Sequence, residues 1–285
     1  MVRSRQRSGL LIDTESGQNR FVSTAVVWKL WSAGLGHASI WPVTALETYR
    51  SKVMELIGRG ADETDALKAA AHLIADSLQR GEVLHVFGSG HSMLPAIDAT
   101  FRAGGLAPVN LLHDPGLAPW EPTRVSRVER LPGYGNAIAD LQDLRAGEVV
   151  VIVSNSGINP VPVQLAERVR RDGLTVVAIT SRPHSEASGS RHPEGLKLID
   201  VADIVIDTHA PEGDVTFTLD DGTETGPVST ILATTLIHSL TIAAMAELAG
   251  RGVRLPVLRS MNRADGDESN EAVIEPFRAR LSREP

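Results

Sequence analysis

No cysteine occurs among the 285 residues. Disulfides and thiolate metal sites are therefore excluded, and a reducing cytoplasm is the expected compartment. Positive charge is also short: the formal net charge is −7, which argues against a nucleic-acid surface as the main business. The sequence shows no uninterrupted apolar run of bilayer-spanning length, so no membrane partner is expected. Neither an internal repeat nor a DNA-binding helix pair before residue 60 is evident. The histidines are too scattered for an H-x-x-x-H pair, so no catalytic metal is expected.

The shortage of basic residues is uneven. Residues 1–42 hold Arg3, Arg5, Arg7, Arg20 and Lys29 against only Asp13 and Glu15, a local balance of +3, which leaves −10 on the rest. Three of the four tryptophans, Trp28, Trp31 and Trp41, lie in the same stretch without a helical or strand period. Its composition fits either a targeting peptide or, on the plainer reading, a disordered upstream extension that reflects the choice of start site. The expected organisation is this extension at 1–42, one domain at 43–255 and a tail at 256–285 that packs on a partner subunit.

Within the domain, Thr44-Ala45-Leu46-Glu47 has the form of a capping box, and apolar residues recur at helical spacing from Leu46 to Ile57. A second helix is expected from Asp62 to Gln79, closed by Gly81. Short β-branched runs then alternate with helical ones. Strands are expected at 83–87, 108–112, 149–153, 175–180 and 203–206, helices at 94–104, 128–142, 159–172 and from Val228 to Leu248. Such alternation specifies βαβ units and an α/β fold built on a parallel sheet. Long loops at 113–127, 181–197 and 209–226 invite function, and the last contains an Asp-Gly hairpin at 217–223.

Two loops carry the chemistry. Gly88-Ser89-Gly90-His91-Ser92 follows the first strand, and Ser154-Asn155-Ser156-Gly157 follows the third. Backbone N–H groups at a helix start favour an anion, and serine hydroxyls add donors. Either loop alone reads equally well as a capped turn; together they describe a phosphate site. A dinucleotide fingerprint is disfavoured because Met93 stands where the third glycine of G-x-G-x-x-G belongs, even though Asp114 mimics a ribose-binding acid. A Walker A loop is excluded, since no Gly-Lys-Ser/Thr follows either cluster. No cofactor is expected.

These residues resemble the SIS (sugar isomerase) domain family. Val86-Phe87-Gly88-Ser89-Gly90-His91-Ser92 looks like its first-strand glycine loop, and Val151-Ile152-Val153-Ser154-Asn155-Ser156-Gly157 like its S-x-S-G phosphate loop. The likeness runs from about residue 44 to 255. Arg102 to Asn110, His184-Ser185, Ser190-Arg191-His192 and Asp203 to Asp207 are similar to a subgroup of single-domain SIS proteins related to phosphoheptose isomerases and N-acetylmuramic acid 6-phosphate etherases. The resemblance implies a five-stranded parallel sheet flanked by helices, a three-layer flavodoxin-like sandwich. It further implies a homodimer or homotetramer with the active site at a subunit interface and a phosphosugar ligand. Ser154, Ser156 and Asn159 would grasp the phosphate, with Ser89, Gly90, Ser92 and Asn155 nearby. Ser229 and Thr230, opening the last long helix, are further donors.

Glu129 is the preferred base, because it precedes the phosphate loop at the interval where the etherases carry a glutamate-bearing segment; it also reads as a solvated carboxylate at a helix start. His91 sits inside the first loop and can bond or shuttle a proton near neutral pH. Asp98 falls near the glutamate of phosphosugar isomerases, and His238 resembles their C-terminal-helix histidine. His184, Arg191 and His192 share one loop that either closes over a neighbouring subunit's site or satisfies interface carbonyls. His113, Asp114 and Glu121 are second-rank candidates. The expected activity is C2-proton abstraction and C3 elimination on a hexosamine 6-phosphate such as N-acetylglucosamine 6-phosphate. The alternatives are an aldose–ketose isomerase and a non-catalytic phosphosugar sensor.

Overall fold

The structure is a computed structural model and describes residues 9–12, 20–23 and 43–281. Of the stretch 1–42, expected to be a disordered extension, the described part is an antiparallel pair, β1 (Gly9–Ile12) with β2 (Arg20–Ser23). The remainder of that stretch, including the three tryptophans, lies outside the described residues.

The domain opens with helices α1 (Val43–Ala61) and α2 (Thr64–Gln79). Five parallel strands follow: β3 (Leu84–Gly88), β4 (Val109–Leu111), β5 (Val149–Val153), β6 (Thr175–Thr180) and β7 (Ile204–Asp207), in the order β4-β3-β5-β6-β7. All five are short and mostly apolar, with β5 and β6 richest in branched side chains and His85 and Asn110 buried within β3 and β4, the pattern of strands covered on both faces. Alternate residues feed two cores. Val149, Val151 and Val153 join α2 and the long helix α9 (Ser229–Gly250), while Val150 and Ile152 join the helices of the opposite layer. The chain leaves β3 for β4 on one side and returns to β5 on the other. The crevice at the carboxyl ends of β3 and β5 is thus the topological switch point, where open α/β sheets bind ligands.

Three elements depart from the sequence reading. The helix expected at 94–104 stops early, as α3 (Met93–Asp98), and the chain then turns through Phe101 at φ +44° and Gly104 at φ +81°. The helix expected at 128–142 is two, α4 (Pro122–Val128) and α5 (Tyr134–Asp140), because Pro132 lacks the N–H to continue one and Gly133 takes a left-handed φ of +86°. Beyond β5, α6 spans Pro160–Arg171, and two short helices, α7 (Arg182–Ala187) and α8 (Leu198–Val201), break up the loop after β6.

Helix α9 is long and apolar enough, by length and composition, to cross a membrane. The sequence shows no uninterrupted apolar run here because Thr, Ser and His interrupt it, without lowering its mean hydropathy enough to matter. Ala233, Leu236, Ile237, Leu240, Ala244 and Leu248 bury one side of it in the domain core, against α2 and the sheet.

The tail packs on its own chain. Leu258, Ile274 and Leu281 close over Val83 and Ala107 at the foot of the sheet. Arg280 then reaches Glu148 at 2.7 Å, and Glu148 in turn meets His85 at 2.9 Å, both fully buried. Burial alone would raise the Glu148 pKa, but the His85 contact, the Arg145 N–H and Arg280 outweigh it and hold the carboxyl at about 2.

Candidate active site

Both loops owe their shape to glycine. A Cβ on Gly88 would lie 2.1 Å from the Ser92 carbonyl oxygen, so only glycine lets the chain fold back from β3 into the turn at 90–92. Gly157 takes φ +61°, and a Cβ there would press on Leu198 and Thr180 at 3.1 and 3.2 Å. The second loop is stiffened further because the Gly157 N–H donates to Ser154 Oγ at 3.2 Å. The Ser154 hydroxyl thereby keeps its own proton for a ligand.

The loops face each other across a cleft of about 370 Å³. Ser89, His91 and Ser92 line it from one side, Ser154, Asn155, Ser156 and Asn159 from the other. Its volume suits a small metabolite, and apart from Ile158 its lining is polar: hydroxyls, amides, carboxylates, two imidazoles and the Arg191 guanidinium. Asn155 Oδ1 is buried without a hydrogen-bond partner, an acceptor that calls for a donor from a ligand or a water. Behind it, Thr230 lines a crevice of about 10 Å³, close to the room one water needs.

Glu129 stands over this cleft, half-buried, at the end of α4. Ser89 Oγ donates to its Oε2 at 3.1 Å, and Asn159 Nδ2 donates to its Oε1 at 2.8 Å. Its backbone carbonyl also accepts from the Val161 N–H at 3.2 Å, which bolts the residue to the start of α6. Asn159 is held in turn, since Arg191 Nη1 donates to its Oδ1 at 2.9 Å. Burial pushes the Glu129 carboxyl above its ordinary value of 4.5, opposed by the Ser89 hydrogen bond and by the charges of Arg130 and Arg191. A fixed carboxylate with a raised pKa is suited to take a proton near neutral pH.

The cleft gathers most of the residues that the sequence reading singled out, from both loops and from His184 and Arg191. His91 is exposed at the rim. Ser229 is present but engaged: its N–H and hydroxyl both donate to Asp214, at 2.8 and 2.7 Å, and Asp214 also takes the Val228 N–H at 2.9 Å. The start of α9 therefore already holds an anion of its own, and Ser229 meets a ligand only as an acceptor.

His238 and Asp98 do not join the site in this chain. His238 Nε2 pairs with Asp98 Oδ2 at 2.7 Å, and Arg102 closes on both. Burial works to raise the Asp98 pKa, but the His238 hydrogen bond and Arg102 outweigh it and lower the value. His238 lies nine residues along α9 from Ser229, about 13 Å at the helical rise. His192 is also apart, buried with Nε2 3.1 Å from Glu167 Oε2. Asp114 acts as a staple, accepting from Gly116 N–H at 2.6 Å and Tyr134 Oη at 2.9 Å, and Glu121 pairs with Arg124 on the surface.

Asp214 and Ser188 line the cleft and were missed in the sequence. Asp214 caps a helix 15 residues downstream across a hairpin, a spacing without a local signature. Among the described residues, Glu63, Asp207 and His209 form a trio close enough to hold a metal ion. Each imidazole nitrogen faces a carboxylate oxygen there, at 2.9 Å from Glu63 and 3.1 Å from Asp207.

A family model described as a SIS domain matches residues 48–181. A UPF0309 protein of Streptomyces coelicolor is 41% identical over 233 residues, covering 80% of this chain and 93% of that protein. Another from Shouchella clausii is 35% identical over 234 residues, with 81% and 95% covered. Among solved structures, a phosphoheptose isomerase from Neisseria gonorrhoeae is 15% identical, covers 70% of this chain and 97% of that one, and superposes with a TM-score of 0.48.

Proposed function

Because this chain belongs to the UPF0309 family and carries a SIS domain, we propose that the cleft at the switch point binds a phosphorylated sugar and that Glu129 moves its proton. The arrangement of Glu129 carries this reading: a half-buried carboxylate, clamped by Ser89 and Asn159, faces a polar cleft lined by two serine loops. The phosphate belongs on Ser154, Ser156 and the loop between them, where neutral donors meet it. Asn155 Oδ1 is an acceptor for a sugar hydroxyl.

The substrate we favour is a hexosamine 6-phosphate in its open-chain aldehyde form. Glu129 takes the proton from C2, and the C2–H electron pair becomes the C1–C2 double bond of an enolate, whose oxygen His91 polarises from the rim. The enolate then collapses, a double bond forms between C2 and C3, and the C3–O bond breaks. The proton on Glu129 leaves with the C3 oxygen as water. One carboxyl serves both halves, so no second acid in the cleft is required.

Aldose–ketose isomerisation begins with the same proton and returns it to C1. Mass spectrometry after incubation with N-acetylated hexosamine 6-phosphates and with hexose 6-phosphates separates the two. Loss of water from the N-acetylated ester supports elimination, an isomeric ketose carrying solvent deuterium at C1 from the hexose ester supports isomerisation, and binding of either without turnover supports a sensor. Homo-oligomerisation is part of the same proposal. Ile231 and Ile242 expose apolar surface on α9, the helix whose first residue borders the cleft, so a copy packed there would adjoin the site.

A further inference from the structure

Two helices open onto the cleft, and their first turns are in opposite states. α6 starts at Pro160 with no acid in its first turn, and its cap residue Asn159 makes no capping hydrogen bond, because its side chain is engaged with Glu129 and Arg191. That start, next to the serine loop, is open to an anion. α9 has no acid in its own first turn either, yet a carboxylate is already there. Asp214 Oδ1 accepts from the N–H groups of Val228 and Ser229, and its Oδ2 accepts from the Ser229 hydroxyl. These are the donors that a phosphate would take at the start of a helix of 22 residues.

The carboxylate is a fixture of the fold. Gly213 and Asp214 both take a left-handed φ, +72° and +58°, and turn the side chain back toward α9. Ala210 before it and Val228 after it are buried in one cluster with Leu56 and Leu232. Thr216 Oγ1 donates to the Gly226 carbonyl at 2.6 Å, and Tyr49 Oη donates to the Pro227 carbonyl at 2.8 Å. The arch 210–228 is thus tied at its base, and Asp214 leaves α9 only if that base opens.

We propose that Asp214 is a resident anion that bars phosphate from the α9 end of the cleft, so that the site takes esters with one phosphate and seats it at the serine loop. The inference rests on the phosphosugar reading of that cleft. With both helix starts vacant, one cleft would offer two anion positions, and a sugar phosphate would enter in either direction. The carboxylate removes the second position in two ways. Its oxygens occupy the donors, and its charge repels a dianion brought beside it. Asp214 is therefore a positioning residue: by fixing which end of the cleft holds the phosphate, it fixes which carbon reaches Glu129.

The test titrates inorganic phosphate, glucitol 6-phosphate and glucitol 1,6-bisphosphate into the wild type, Asp214→Ala and Asp214→Asn by calorimetry; both polyols are open-chain and differ only in the second phosphate. The wild type should bind one inorganic phosphate per chain and prefer the monophosphate by about tenfold. Asp214→Ala frees the α9 donors, so it should bind a second phosphate and hold the bisphosphate about tenfold or more tighter than the wild type does, the worth of one hydrogen bond to a charged group. Loss of a purely structural cap would not tighten binding. Asp214→Asn still caps α9 but without the charge, so it should stay at one phosphate per chain while its preference for the monophosphate shrinks. Two phosphates on the wild type, equal wild-type affinity for the two polyols, a folded Asp214→Ala protein that gains neither ligand, or an Asp214→Asn protein that keeps the full preference overturns the proposal and leaves the phosphosugar site standing. A wild type that binds neither inorganic phosphate nor any sugar 6-phosphate overturns the phosphosugar reading itself, and the proposal with it.

Discussion

Asn159 donates its side-chain N–H to Glu129 at 2.8 Å while its carbonyl oxygen accepts from Arg191 at 2.9 Å. The amide thus passes the orientation of one charged group to the other without letting them meet. A direct Arg191–Glu129 pair would hold the carboxylate ionised and make it a poor base; the spacer leaves the balance with burial, which raises the Glu129 pKa.

Replacing Glu129 by Gln should reduce turnover of the phosphosugar by about 10²–10⁴-fold, the range for one positioned proton-transfer group. Binding should change little, because Gln keeps the length of the side chain and can still accept from one donor. Calorimetric titration beside steady-state rates separates the two.

The acid limb of the pH–rate profile should lie above the ordinary carboxyl value of 4.5, since burial raises the Glu129 pKa. Arg191 opposes that shift, so Arg191→Met should move the limb further up. Stability runs the other way from a salt-bridged acid. The folded state binds this proton more tightly than the unfolded one, so the wild type loses stability as pH climbs from 4.5 through the raised value. Glu129→Gln should therefore melt higher than the wild type at neutral pH, and the difference should vanish at pH below 4.5.

Ser156→Ala and Ser154→Ala should each weaken phosphosugar binding by about two- to twelvefold, the worth of one neutral hydrogen bond of about 0.5–1.5 kcal/mol. Only Ser154→Ala should also lower the melting temperature, because its hydroxyl accepts the Gly157 N–H inside the loop. Thermal melts without ligand read that difference.

At the other end of the sheet, Glu148→Gln should cost about 3–5 kcal/mol by leaving Arg280 without its buried counter-charge. Urea unfolding measures it, and phosphosugar affinity of the surviving folded protein should be unaffected. The Glu148 pKa is depressed to about 2, so its contribution is complete above the ordinary 4.5 and is lost as pH falls toward 2.

The strands were legible wherever composition alone decides burial. Val149–Val153 and Thr175–Thr180 are where their branched runs stand, and the two serine loops could be placed because each follows such a run. Local signals failed where two compete. Val128, Leu131, Tyr134 and Ile138 keep a helical period across Pro132-Gly133, and the missing N–H and the left-handed glycine override it. The clamp on Glu129 was beyond reach for another reason. Ser89, Asn159 and Arg191 lie 40, 30 and 62 residues away in the chain and meet only because β3 and β5 are neighbours in the sheet. His238 and Asp98 fell to the same limit: each suits proton transfer by type, yet α9 and α3 bring them to each other rather than to the loops.

Proton NMR of N-acetylglucosamine 6-phosphate with the protein in deuterated water addresses the central claim most directly. With the wild type the C2 proton signal should disappear, and a product lighter by one water should accumulate; with Glu129→Gln both should slow by at least about 10²-fold. A C2 proton that persists while the wild type converts the ester, or that exchanges equally fast in Glu129→Gln, would contradict the assignment of Glu129 as the base.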